Sequence, residues 1–247
     1  LPLREVHKRA YRMVKAKNPD GAIYGHIGCK RYPGDVFFDM ICASEGFAYA
    51  VVQNNYTYFD IYTPEMMESF FVPRAQELVL STSPQLLRAR ECWAPHLYKS
   101  YDPETDPALP HLIAYLKIHD LNIAWGSLDN PEWRVYYLAD NAVRDLGANR
   151  IHHAYYLGQD DAVTLSQPGP RQLWAYYRND ETAVLIVLND TDSAIWQTVS
   201  VRGISGRGQE ILDGMEYDFT TGSCAVALPP RGSVFIRFAT GGTRESR

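Results

Sequence analysis

Two carboxylates and an imidazole sit where short apolar runs give out, and chemistry is best sought there. The stretch Val36-Phe37-Phe38-Asp39-Met40-Ile41-Cys42-Ala43-Ser44-Glu45-Gly46-Phe47 is apolar and β-branched, with Asp39 interrupting it and Glu45 just past its end. Ahead of it, Ala22-Ile23-Tyr24-Gly25-His26-Ile27 reads as a second short strand. A strand buried on both faces gives such a continuous run. Strand, strand, then helix is the order of a parallel sheet or barrel, in which residues at the C-terminal strand ends carry the chemistry. Carboxyl groups there do acid–base work, because burial raises a pKa until the group holds a proton near neutrality. Glu45, leaving an apolar strand for an aromatic loop, is the first candidate for a general acid. Its alternative is a surface acid, or a partner of Arg31. Asp39 reads as a nucleophile, or as a buried carboxylate that holds a neighbouring His or a backbone amide. His26 either binds a substrate hydroxyl or is a satisfied core histidine.

Other groups are weaker candidates. His119-Asp120 closes a helix just before a strand, which is the barrel face opposite an active site, so capping and strand docking are expected of it. His152-His153 falls in an extended strand, where neighbours point to opposite faces and cannot share one metal. Trp125 ends a strand and, with Tyr49, Tyr56, Tyr58 and Phe59, offers an aromatic platform; the same residues also suit a core. Cys29, Cys42, Cys92 and Cys224 form no Cys-x-x-Cys pair. Cys42 reads as a small core residue, and no disulfide framework, metal or cofactor is expected.

The elements that position these groups follow from periodicity. Leu3, Val6, Ala10, Met13 and Val14 recur at helical spacing with basic residues between them, which predicts a helix buried on that stripe and ended by Pro19-Asp20-Gly21. A chain that opens inside a helix is expected to have residues upstream of it. Residues 49–62 read as a long loop. Thr63-Pro64-Glu65, Asp106-Pro107 and Asn130-Pro131-Glu132 each combine a capping side chain with a first-turn proline. Leu109, Leu112, Ile113 and Leu116 line the second of these helices, and Gly147 stops the third. Strands are expected at 22–27, 36–42, 78–82 and 122–126.

From about Arg150 the period changes to two. Leu173 to Tyr177 and Ala183 to Leu188 flank Asn179-Asp180-Glu181-Thr182 as a hairpin, and Ile195, Gln197, Val199 and Val201 alternate with Trp196, Thr198 and Ser200. Seven or so strands with frequent turns predict a β-sandwich. A (β/α)₈ barrel takes about 250 residues, roughly 31 per unit, so the first 148 residues hold about half of one. The expected fold class is therefore α/β: a partial barrel over 1–148, an all-β sandwich over 149–239 and a disordered tail over 240–247. Another polypeptide segment would have to complete the barrel.

Composition narrows the function. At 247 residues and a net charge of -5, with no long basic run, the chain is not a general nucleic-acid binder. No apolar stretch approaches the roughly 20 residues of a membrane-spanning helix. Leu1 to Lys17 is amphipathic and basic, unlike a signal peptide. An N-terminal secretion signal, and with it an extracellular or periplasmic location, stays open. No Gly-x-Ser-x-Gly, His-Glu-x-x-His or Walker-type loop is present.

A barrel followed by a sandwich is common among enzymes that cut glycosidic bonds, whose reaction needs two carboxyl groups about 5 to 9.5 Å apart. Asn18-Pro19-Asp20, the strand ending in His26, Phe38-Asp39, Glu45-Gly46, Leu116-Lys117-Ile118-His119-Asp120 and Leu228-Pro229-Pro230 together resemble bacterial glycoside-hydrolase-like proteins related to family 123. The resemblance covers the C-terminal half of that barrel and its trailing sandwich. It implies carbohydrate hydrolysis, with acidic residues on earlier barrel strands taking part. Onto this sequence it carries Asp39, Glu45 and His26. The alternative is a non-catalytic carbohydrate-binding or structural module, in which the aromatic loop and the sandwich act.

Overall fold

The computed structural model describes residues 2–26, 37–42, 62–63, 65–66, 79–82, 108–123, 133–158 and 161–240. The chain divides into two compact units, Leu1–Tyr101 with Asp120–Leu128 and Asp102–His119 with Asp129–Arg247.

The first unit holds helix α1 (Pro2–Lys17) and strands β1 (Tyr24–His26), β2 (Met40–Cys42), β3 (Val79–Thr82) and β4 (Asn122–Ile123). The strands pair in chain order, and every pairing is parallel. α1 ends where Pro19-Asp20-Gly21 predicts: Gly21 N donates to Asn18 O at 2.9 Å, and Asp20 N donates to Asn18 Oδ1. The face that α1 packs differs from the expected one. Leu3, Val6 and Met13 are 54%, 59% and 73% exposed, while His7 and Tyr11 meet the rings of Phe38 and Phe37 at 4.7 and 6.2 Å. Aromatic residues therefore outcompete the aliphatic stripe for the contact.

The same contact shortens the strand expected over 36–42. Residues 37–39 leave the strand path to bring both phenylalanines to α1, and β2 begins only at Met40. Phe38 lies so close to β1 that a Cβ on Gly25 would come within 2.7 Å of its ring. Thr63 Oγ1 accepts from Met66 N at 3.3 Å, the cap read from Thr63-Pro64-Glu65.

Among the described residues the second unit adds helices α2 (Ala108–Ile118) and α3 (Trp133–Arg144), a 3₁₀ turn (Tyr155–Leu157) and nine strands. These are β5 (Ile151–Ala154), β6 (Val163–Leu165), β7 (Gln172–Arg178), β8 (Thr182–Asn189), β9 (Ile195–Val201), β10 (Arg207–Glu210), β11 (Glu216–Asp218), β12 (Ser223–Leu228) and β13 (Ser233–Ala239). They form a six-stranded sheet, β11-β10-β13-β8-β7-β5, and a three-stranded sheet, β12-β9-β6. Every pairing in both sheets is antiparallel.

The core between the sheets takes Trp174, Tyr176, Leu185 and Val187 from the hairpin and Val199, Val201, Val226 and Leu228 from the smaller sheet. Residues of opposite parity in β7 and β8, among them Tyr177, Val184, Ile186 and Leu188, are also buried. α2 packs against β7, β8 and β13, which explains why Ala183 to Leu188 is an unbroken apolar run. β9 alternates as expected, with Gln197, Val199 and Val201 buried and Trp196 exposed. Asn179 Oδ1 accepts from Thr182 N at 2.7 Å and closes the β7–β8 hairpin.

The compact units thus divide the chain differently from the change of period at 148. α2 and α3, which precede that change, belong with the sandwich. Thr240 is tied to Glu181 O and Asp180 O, and 241–247 lie outside the described residues.

Candidate functional site

Parallel strands carry their C-terminal ends to one edge of a sheet, and in the first unit this edge is a single register row. His26 pairs with Cys42, Cys42 with Ser81, and Ser81 with Asn122. His26 is the last residue of β1, so the sequence places it where strand-end chemistry is expected. Glu45 follows the end of β2 by three residues but lies outside the described residues, as do Tyr58 and Trp125. Ser81 and Thr82 at the end of β3 were not singled out from the sequence. The signal was available, since polar residues follow Leu78-Val79-Leu80 directly, as Glu45 follows its own apolar run.

Asp39 sits at the other end of β2, one residue before it begins. Its Oδ2 accepts from Ile23 N at 2.7 Å and its Oδ1 from Lys15 Nζ at 2.9 Å. The Lys15 ammonium and then the Ile23 amide hold its carboxyl below the usual carboxylate range. This is the backbone-holding role among the two read for Asp39, and the geometry ties α1, β1 and β2 together at the N-terminal edge. Lys15, one of the basic residues between the stripe positions of α1, supplies the cation. An acid inside an apolar run was the signal that some cation or amide must meet it.

Two polar networks organise the second unit. At the end of α2, His119 is fully buried. Its Nδ1 lies 2.7 Å from Tyr115 O, its Nε2 lies 3.3 Å from Tyr155 Oη, and its ring stacks on Tyr156. Burial pushes its pKa down to about 4, against the pull of the Tyr115 carbonyl. His152 stacks on Tyr177 at 4.3 Å and reaches Ile118 O, while His153 faces Tyr176. The two adjacent histidines therefore divide between the helix side and the core side of the sheet, and the docking role expected of His119 is the one seen.

The other network centres on Asp190, which is met by His111 Nε2 at 3.0 Å, by Arg231 Nη1 and, at 3.6 Å, by Arg171. Burial lowers the His111 pKa in spite of the carboxylate beside it. The network joins the start of α2 to the sandwich and was not read from the sequence, because its members are far apart along the chain. Among the described residues, no group of three or more His, Cys, Asp or Glu is placed to hold a metal ion. No described helix is long and apolar enough to cross a membrane.

No protein-family model matches the chain, and comparison with curated proteins gives no match. Solved structures do match. The α-amylase of Anoxybacillus, described as giving insight into a new glycosyl hydrolase subclass, aligns with 96% of this chain and 56% of its own, at 11% identity and a TM-score of 0.53. The noncanonic maltogenic α-amylase AmyB of Thermotoga neapolitana aligns with 97% and 59%, at 12% identity and a TM-score of 0.51. The α-amylase of Geobacillus thermoleovorans, solved in complex with acarbose, aligns with 95% and 57%, at 11% identity and a TM-score of 0.51.

At such identities the likeness is one of fold alone, and it extends over most of this chain. The chain spans a little over half the length of these structures. The matches lend no specific support to family 123. That resemblance rested on short segments such as Phe38-Asp39 and Glu45-Gly46, whereas the fold comparison weighs the whole backbone path.

Proposed function

We propose that the chain is the C-terminal part of a glycoside hydrolase. In this reading its parallel strands are about half of a (β/α)₈ barrel, and the antiparallel sandwich trails it. The observation that carries the reading is the succession of parallel strands paired in chain order, then an antiparallel sandwich, along a backbone path like that of α-amylases. A second observation supports it: among the described residues β1 lies at the edge of its sheet, and α1 leaves Leu3, Val6 and Met13 exposed. Further strand–helix units laid along that edge would cover both.

The chemistry follows from position. Glu45, three residues past the end of β2, donates its proton to the glycosidic oxygen as a general acid. His26, at the neighbouring strand end, binds a sugar hydroxyl, and Tyr58 and Trp125 stack on sugar rings. Asp39 is engaged by Lys15 and Ile23 at the far end of its strand, so the partner carboxylate comes from the strands that complete the barrel.

The test is turnover of aryl glycosides and α-glucans by the chain extended with its upstream coding sequence. Glu45→Gln is expected to lower kcat by at least about 100-fold with folding unchanged. Turnover undiminished in that variant contradicts the assignment, and sugar binding without any turnover favours the carbohydrate-binding module.

A further inference from the structure

The three-stranded sheet β12-β9-β6 turns one face to the sandwich core and the other to solvent. β9 sends Val199 and Val201 into the core, so Trp196, Thr198 and Ser200 point outward by the two-residue period. Register carries this outer face across the sheet. Ser200 pairs with Thr164 of β6 and with Ser223 of β12, Thr198 pairs with Ala225, and Trp196 pairs with Ala227. One end of the face is therefore a row of three hydroxyls, about 4.8 Å apart. The other end is a tryptophan, 70% exposed, beside an alanine. The strand that carries the ring is fixed from behind: Gln197, 1% exposed, accepts from Gln167 N at 2.9 Å and donates to Gln167 O at 2.7 Å.

The fold makes no use of these outward groups. Among the described residues, no hydrogen bond engages the hydroxyls of Thr164, Thr198, Ser200 and Ser223 or the Trp196 indole N–H. None of the outward positions on the three strands is charged, whereas a solvated surface is about 25–35% Lys, Arg, Asp and Glu. Beyond the strand ends the charges are paired, Asp161 with Arg202 and Asp192 with Arg231. The size and chemistry of the face then limit its occupant. Three strands of at most seven residues cover roughly 350 Å², well short of the about 800 Å² that each partner gives to a stable protein interface. Serine and alanine are also depleted in such interfaces. A nucleic-acid strand requires cations along its backbone as well as a stacking ring, and a lipid surface requires an apolar face flanked by basic residues. What matches a ring at one end and free hydroxyls at the other is a small neutral molecule with both an apolar C–H face and hydroxyls of its own. Trp196 and the hydroxyl row lie four residues apart along β9, about 13 Å, which is farther than one sugar ring reaches.

We propose that the outer face of the β12-β9-β6 sheet binds a neutral oligosaccharide, one ring stacked on Trp196 and a later ring hydrogen-bonded to the Thr164-Ser200-Ser223 row. The site lies wholly within the second unit and shares no residue with the strand ends assigned to catalysis. Its test reads binding alone, so it stands or falls separately from the hydrolase reading.

The experiment follows backbone amide shifts of the full chain by NMR during titration with maltotriose, cellotriose and mannotriose. 4-Nitrophenol and a thymidine hexanucleotide are the bare-aromatic and nucleic-acid controls. Saturable shifts confined to β6, β9 and β12 are expected with at least one trisaccharide, and binding about tenfold weaker with its monosaccharide. Trp196→Ala is expected to weaken the trisaccharide about tenfold with Tm unchanged, since the ring is exposed, and Trp196→Tyr to keep binding within about threefold because a stacking ring remains. No saturable shift with any trisaccharide, binding indifferent to Trp196→Ala, or tighter binding of either control than of every sugar would each overturn the proposal. So would sedimentation showing a dimer of the chain that Trp196→Ala dissociates, because the face would then be covered by a second copy.

Discussion

His119 carries a consequence that its neighbours impose. With its ring buried against Tyr115, Tyr155 and Tyr156, it stays neutral down to a pKa of about 4, whereas its ordinary value is 6.5. The unfolded chain therefore binds this proton first. The group has no effect on stability above pH 6.5, lowers it progressively as pH falls toward 4, and has its full effect below that, on the order of 3 kcal/mol. His119→Gln is expected to be less stable at pH 7 but to lose less stability between pH 6.5 and 4, as urea unfolding would show. His111, also lowered by burial, and the carboxylates of Asp39, Asp192 and Asp218, held below their usual range, contribute to the slope that remains. An unchanged slope would contradict this account of His119. Single residues were legible in the sequence where the chemistry is local: Asp39 inside an apolar run had to be answered by something, and it is. The Asp190 network was not legible, because its partners meet only through the fold of β8, α2 and the turn before β13.

α1 and α2 separate what helical periodicity can and cannot tell. α2 is buried on every side, with Leu112, Ile113, Ala114, Leu116 and Ile118 fully so. Its lysine is accommodated because Lys117 Nζ donates to Asp140 on α3. Leu112, Ile113 and Leu116 were read correctly as buried; that the helix covers the second face of the large sheet was not, since a periodic stripe does not name its partner. α1 has the better stripe but buries another face, because Phe37 and Phe38 take its aromatic side. Leu116→Ala is therefore expected to cost about 2–5 kcal/mol, and Leu3→Ala on the exposed stripe less than about 0.5 kcal/mol. Equal losses in chemical denaturation would refute the division of faces. The hairpin, the alternation of β9 and the stop at Gly147 were all legible, because turn chemistry and the two-residue period act over a few residues. Gly147 indeed adopts φ 85° and caps α3 through Arg144 O.

At the scale of the molecule, parallel strands in chain order ahead of an antiparallel sandwich were foreseen from the change of period near residue 150. The grouping of α2 and α3 with the sandwich was not, because compactness depends on contacts rather than on order. The backbone path resembles that of solved α-amylases; the central proposal is that sugar is cleaved at the edge where β1 to β4 end. A crystal structure of the chain, extended upstream, with a pyranose-like glycosidase inhibitor bound would test that claim most directly. The account predicts a ring seated at the His26-Cys42-Ser81 row with the Glu45 carboxyl within hydrogen-bond reach of the glycosidic position. An inhibitor bound only to the antiparallel sheets of the second unit, or Glu45 directed away from the ring, would contradict it.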